Sequence, residues 1–155
     1  MNIYPQIVDH AIKYIDKYIK KSHHVLEFGS GMSTVYFAQR AKHVVTVENN
    51  KLWENRVKRM LFIHELNNVQ HILVEDYDNL NITGEFDIIM IDGRERIKCL
   101  KYSLSMLKGI LIFDDCDRPR YREGLIRYLS NYECVKYDNG QERKGTAIYA
   151  RRLDT

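Results

Sequence analysis

Residues 25–34, reading V-L-E-F-G-S-G-M-S-T, constrain the fold more than any other stretch of the chain. A short apolar run carries an acid, two glycines follow with one residue between them, and a helical pattern begins at about Met32. That order describes a strand, a tight turn and the start of a helix. Glycines suit such a corner because they tolerate positive φ and lack a Cβ, so a ligand can lie directly against the backbone while the first N–H groups of the helix stay free to donate. Glu27 sets this corner apart from a phosphate cradle. A carboxylate two residues before the first glycine repels a pyrophosphate, yet it accepts hydrogen bonds from a cationic amino group.

The next strand narrows the ligand. Val44-Val45-Thr46-Val47 is β-branched throughout and closes at Glu48, roughly the ~20-residue separation at which an acid reaches a ribose in dinucleotide-binding folds. A dinucleotide fingerprint also wants glycine at position 34, where this chain has Thr34. NAD and FAD therefore fit less well than an adenosine ligand that carries an amino acid.

With these residues the chain resembles the class I S-adenosylmethionine-dependent methyltransferases. Glu27, Gly29 and Gly31 match their first motif, Glu48 matches the acid closing their second strand, and the likeness runs along nearly the whole chain. The resemblance implies a three-layer Rossmann-like α/β fold with a mostly parallel seven-stranded sheet and a C-terminal antiparallel hairpin. It also implies S-adenosylmethionine as cofactor, with the Gly29 to Gly31 turn beside its methionine part and Glu48 accepting from both ribose hydroxyls. Asp76 takes the adenine amino group in this reading, or is an ordinary turn acid beside Glu75. Trp53 either flanks the adenine or packs in the core. The candidate cofactor-binding residues are Glu27, Gly29, Ser30, Gly31, Glu48, Asn49, Asp76, Tyr77 and Asp92. The segments I-D-G-R-E-R-I-K-C-L and D-D-C-D-R-P-R-Y also resemble bacterial methyltransferase-like proteins, closest in pattern to small-molecule O-methyltransferase-like proteins of unassigned substrate.

A length of 155 residues suits one domain, a sheet covered by helices on both faces with little left for a second module. The hydrophobic fraction of 45% and charged fraction of 29% are those of a globular protein, and no apolar run approaches the ~18 residues of a membrane span. Asp9 and Asp16 interrupt any signal-peptide order, which makes a cytoplasmic location the expectation. Cys99, Cys116 and Cys134 are odd in number and lack C-x-x-C spacing, which argues for reduced, packed thiols.

Along the chain, Pro5 and the spacing of Ile7, Val8, Ala11, Ile12, Ile15 and Ile19 predict a helix over about 5–20. His23 and His24 read as a solvated turn rather than a metal site, because neighbours in sequence point apart. Asn49 and Asn50 cap a helix over about 51–66, with Leu52, Val57, Leu61 and Ile63 as its buried stripe. Residues 69–74 form a third strand, and 86–93 a fourth that is apolar enough to be central. A helix over 94–108 ends at Gly109 as its cap, a fifth strand covers 110–113, and another helix starts at Arg118-Pro119. Strands over 132–137 and 146–150 form the hairpin, joined through Asp138-Asn139-Gly140 and Lys144-Gly145.

Asp92, Asp114 and Asp115 fall at the ends of strands four and five. Three carboxylates in one crevice repel one another unless a cation or protons neutralise them, and such oxygens suit Mg²⁺ or another divalent cation. Metal-dependent O-methyltransferases take ligands from these same strand ends, although here Asp115-Cys116 stands where asparagine usually follows. Without a metal, Asp92 or Asp115 is the general base. Arg94, Arg96, Arg118 and Arg120 would line the rim, where they either take a phosphorylated or carboxylated group or simply solvate their helices. The expected function is therefore methyl transfer to an oxygen of a small hydroxylated or anionic acceptor, with a homodimer one way to complete the pocket. A nucleic-acid methyltransferase is the alternative, prompted by the basic run Arg118 to Arg127 and by Lys136, Arg143, Lys144, Arg151 and Arg152, though Asp92-Gly93-Arg94-Glu95 lacks the prolines of base N-methylation. A non-catalytic cofactor-binding subunit is the third reading.

Overall fold

The computed structural model describes residues 3–137 and 144–152. Helices α1 (Asp9–Tyr18), α2 (Met32–Ala38), α3 (Lys51–Ile63), α4 (Arg96–Ser103) and α5 (Arg122–Leu129) alternate with strands β1 (His24–Phe28), β2 (His43–Glu48), β3 (Val69–Leu73), β4 (Phe86–Ile91) and β5 (Leu107–Asp114), except that β3 leads to β4 without a helix, and β6 (Tyr132–Tyr137) and β7 (Thr146–Arg151) follow. The strands form one seven-stranded sheet in the order β3-β2-β1-β4-β5-β7-β6. The first five are parallel, and β7 runs antiparallel to both β5 and β6. This is the expected α/β architecture.

Side-chain alternation divides the core between the two faces of the sheet. Val25, Val44, Ile88, Met90, Ile110 and Ile112 face one way, beneath residues of α1, α2 and α3, while Leu26, Phe28, Val47, Ile89, Ile91 and Phe113 face the other, toward α4 and α5. The strand order reverses at β1, which has β2 on one side and β4 on the other. In open α/β sheets the crevice at the carboxyl ends of such a pair receives ligands, and the Gly29 corner and Asp92 both stand there. Among the described residues no helix is long and apolar enough to cross a membrane.

Four local expectations change. Helix α1 begins at Asp9, because Pro5 precedes an irregular entry whose Val8 carbonyl accepts the first helical N–H groups. Helix α3 buries Glu54, Val57 and Leu61, whereas Leu52 and Ile63 are 81% and 67% exposed. Positions 52 and 63 are five and two residues from 57 and 61, spacings that leave a helix face rather than share it. Buried Glu54 is tolerated because Lys51 and Lys58 pair with it at 2.6 and 2.8 Å. Cys134 is exposed on edge strand β6, although all three cysteines are free as expected. Asp138-Asn139-Gly140 and Arg143 lie outside the described residues.

The fourth change concerns Gly109, which caps no helix but lies inside β5. Leu107 already pairs with Phe86 across β4. A Cβ at 109 would stand 2.2 Å from the Tyr18 hydroxyl and 2.3 Å from the Asp87 carbonyl, so glycine is there for a close approach. Gly109→Ala is expected to destabilise the fold by about 1–3 kcal/mol, read as a lower midpoint of thermal unfolding. An unchanged midpoint would mean that β4 and β5 are not packed this tightly.

Candidate functional site

Gly29 turns the chain at φ +95, and a Cβ on it would stand 2.6 Å from the backbone of Gly93. Two glycines therefore bring the end of β1 directly against the end of β4, where Asp92 N–H donates to the Phe28 carbonyl at 2.9 Å. Gly31 differs. Its φ of 174 is extended backbone open to any residue, and its Cβ position is clear to 3.9 Å, where the Trp53 indole begins. The turn is braced from below by Glu27, which is fully buried. Its carboxylate accepts from the hydroxyls of Ser33, of Thr34 at 2.5 Å and of Thr46 at 2.7 Å. Thr34 also accepts the Gly31 N–H at 2.9 Å, so the residue that departs from a dinucleotide fingerprint ties the glycine turn to the buried acid. Burial pushes Glu27 up to about 7, against the lowering effect of its three hydroxyl donors.

Above the turn lies a crevice of 890 Å³, lined on one side by Gly29, Ser30, Glu48, Asn49 and Trp53. Glu48 is buried, and both of its oxygens are oriented. One accepts the backbone N–H and the hydroxyl of Ser30, each at 3.1 Å, and the other the N–H groups of Asn49 and Asn50, each at 2.9 Å. The carboxylate is thus locked between the β1 and β2 loops. Asn50 caps α3 by accepting from the Trp53 N–H at 3.0 Å. That places the Trp53 ring over the Ser30 loop, its indole N–H donating to the Ser30 carbonyl at 2.5 Å. With 39% of its surface exposed, Trp53 is a wall of the crevice rather than a core residue.

The acids across the crevice do not form the expected metal triad. Arg96 occupies the space between them. Its guanidinium donates to the carbonyls of Gly93 at 2.9 Å, Asp114 at 2.5 Å and Asp92 at 3.0 Å. It also pairs with the carboxylates of Asp92 at 3.1 Å and Asp115 at 3.5 Å. Asp114 accepts from Thr146 at 2.7 Å while its carboxylate also lies against that of Asp92, and Asp115 is shared with Arg118. The neutralising cation is therefore a side chain, and among the described residues no group of three potential ligands can hold a metal ion. Arg96 belongs in this centre and not on the rim. Its position four residues after the strand-end Asp92, with Gly93 between, was the available signal. Removal from water and the neighbouring Asp114 carboxylate raise the Asp92 pKa, with Arg96 opposing. Glu95 and Asp115 both adopt positive φ, at 51 and 52, an uncommon state for residues with a Cβ that recurs at functional loops.

The structure does not bring Asp76 into the crevice lining. It is exposed and accepts the Asp78 N–H at 2.9 Å in a local turn. Tyr77 is buried beside it, outside the lining, and its hydroxyl finds no partner among the described residues. Of the expected rim, Arg94, Arg118 and Arg120 do line the crevice, with Ile97, Lys98 and Tyr121.

Comparison with protein-family models gives no match, and no curated protein matches. Solved structures do. An rRNA methylase from Streptococcus thermophilus superposes with a TM-score of 0.79 at 13% identity over 93% of this chain and 95% of that one. A candidate methyltransferase from Streptococcus mutans, solved in complex with SAH, gives 0.76 at 12% over 97% and 100%. A candidate caffeoyl-CoA O-methyltransferase from Staphylococcus aureus gives 0.70 at 22% over 92% of this chain and 81% of that chain. This chain has the Rossmann-like fold of the class I S-adenosylmethionine-dependent methyltransferases.

Proposed function

We propose that this protein is an S-adenosylmethionine-dependent methyltransferase that directs the methyl group to an oxygen of a small hydroxylated or anionic acceptor. The observation that carries the reading is Glu48, an oriented carboxylate at the carboxyl end of β2, facing the crevice beside the Gly29 turn and a half-exposed tryptophan. An acceptor-only group in that place suits a ribose diol, whose two O–H donors would share its oxygens with the loop N–H groups, the Ser30 hydroxyl being free to rotate away. The SAH complex of the S. mutans protein, which shares this fold, supports the same cofactor. The crevice fits the group. Gly29 and Ser30 leave room for its methionine part, Glu48 and Asn49 hold the ribose, and Trp53 offers a ring to the adenine.

When bound, the cofactor supplies an electrophilic methyl on a positively charged sulfur. This chain has to orient the acceptor oxygen and take its proton. Asp92 would take the hydroxyl proton as the acceptor oxygen is presented to that methyl group. A raised carboxylate near the working pH is suited to that transfer. Arg96 keeps Asp92 in place from behind, and positioning supplies most of the remaining acceleration.

Calorimetric titration of S-adenosylhomocysteine tests the reading. Micromolar binding to the wild type is expected, weakened about 10- to 100-fold by Glu48→Ala, as for loss of hydrogen bonds to a charged group. No binding to the wild type would end the methyltransferase reading. Equal binding by a folded Glu48→Ala would end the ribose assignment.

A further inference from the structure

We infer that the acceptor carries an oxyanion, and that Arg94 and Arg120, with Tyr121 as the supporting ring, form the clamp that holds it. The inference rests on the methyl-transfer reading of the crevice. Five cationic residues line the cavity, Arg94, Arg96, Lys98, Arg118 and Arg120, against three carboxylates, Glu48, Asp92 and Glu95. Most of the five are already engaged. Arg96 is consumed by the strand ends, Arg118 by Asp115, and Lys98 by Asp78 at 2.7 Å with Glu95 at 3.8 Å. Arg94 and Arg120 meet no carboxylate within ion-pair distance among the described residues.

Arg120 is not a freely solvated side chain. Its guanidinium lies 4.8 Å from the Tyr121 ring centre and donates to the Tyr121 hydroxyl at 2.8 Å. Tyr121 is itself buried, edge-on to Phe113 at 5.4 Å and under the Arg96 guanidinium at 5.6 Å. One edge of the Arg120 fork is thereby fixed, and among the described residues its other N–H donors show no further hydrogen bond. A planar fork held in this way loses little entropy when it takes a carboxylate or phosphate through paired hydrogen bonds. Arg94 supplies a second, uncompensated cation on the same wall, next to Gly93 and Asp92. An acceptor whose oxyanion rests between them has its hydroxyl end free to reach Asp92. The charge also matters for the cofactor. A cationic sulfonium is opposed by unpaired arginines, and an anionic acceptor removes that opposition, so the two ligands favour one another.

The test uses the full chain saturated with S-adenosylhomocysteine, with phenyl phosphate, benzoate, inorganic phosphate and a single-stranded RNA of about 20 nucleotides as probes in calorimetric titrations. The expected result is phenyl phosphate or benzoate binding that weakens about tenfold or more in Arg94→Gln and in Arg120→Gln. Arg122→Gln, exposed outside the crevice, leaves it unchanged, and S-adenosylhomocysteine affinity stays constant in all three. Phenyl phosphate against benzoate decides which oxyanion is preferred. Absence of binding by every small anion, or equal weakening in Arg122→Gln, overturns the clamp. So does RNA that binds more tightly than the small anions and is lost in Arg122→Gln and Arg127→Gln, which would make the basic surface a nucleic-acid track. Small-anion binding that depends on Arg94 and Arg120 in a protein that fails to bind S-adenosylhomocysteine would uphold the clamp while ending the methyltransferase reading.

Discussion

Arg96→Met is expected to lower the unfolding free energy by about 3–5 kcal/mol, the penalty for removing one partner of a buried charge cluster. The guanidinium is the common partner of the Gly93, Asp92 and Asp114 carbonyls and of the Asp92 and Asp115 carboxylates. Methionine fills much of the volume and supplies none of these donors. Asp92 then loses its cation, Asp115 keeps only Arg118, and three carbonyls lose a donor. Arg96→Lys restores the charge but cannot reach all three carbonyls, so its loss should be intermediate. The deficit should also depend on pH. Protonating Asp92, whose carboxyl burial and Asp114 push upward, removes uncompensated charge, so Arg96→Met should be closer to wild type at pH 5 than at pH 8. Urea denaturation at both pH values measures this. A variant as stable as wild type would show that the strand ends do not need Arg96, and that Asp92 is positioned by something else.

Arg96 also shows where the sequence stops being informative. The Gly29 corner, the β2 acid, the Asn50 cap and the order of strands were legible because each is a local pattern: alternation, β-branching, a capping side chain, an acid at a strand end. Glu48 lines the crevice, as an acid at that strand end suggests, and so does Trp53, for which the sequence leaves flanking the adenine and packing in the core both open. Arg96 reads as one more rim arginine, because apart from its spacing from Asp92 nothing in R-E-R-I distinguishes a buried guanidinium from a solvated one. Its burial comes from β5, whose end lies almost 20 residues away in sequence and against it in space. Gly109 was misread for a similar reason. A glycine after an apolar helical pattern is a sound C-cap signal, yet Tyr18 and Asp87, on other elements, dictate it. The metal expectation shared this weakness. Three aspartates at two strand ends need a counter-charge or protons, and no local pattern announces that the Arg96 side chain stands among them.

The largest pH effect should come from Glu27. Burial raises this carboxyl from its ordinary 4.5 to about 7, so between those values the folded chain holds a proton that the unfolded chain has released. Stability contributed by this group is complete below pH 4.5 and falls as pH rises through 7, by about 1.4 kcal/mol per pH unit and about 3 kcal/mol in all. Glu27→Gln removes the titration while keeping a side chain able to meet Ser33, Thr34 and Thr46, since an amide both accepts and donates and the hydroxyls can rotate. Asp92 titrates with the same sign and feels the Glu27 charge, so the difference between the two stability curves reports Glu27 together with its smaller effect on Asp92. That difference should move in favour of the glutamine variant from pH 4.5 upward and level off above about pH 8. A flat difference would mean that the three hydroxyls hold Glu27 ionised after all. The acid beneath the glycine turn would then be a fixed negative charge under the crevice floor. At neutral pH such a charge would attract a cationic cofactor and partly offset the arginines of the opposite wall, a field that Glu27→Gln would abolish. S-adenosylmethionine and neutral S-adenosylhomocysteine separate the two cases: the glutamine variant should weaken binding of the charged cofactor selectively only if Glu27 is ionised at the pH of the measurement.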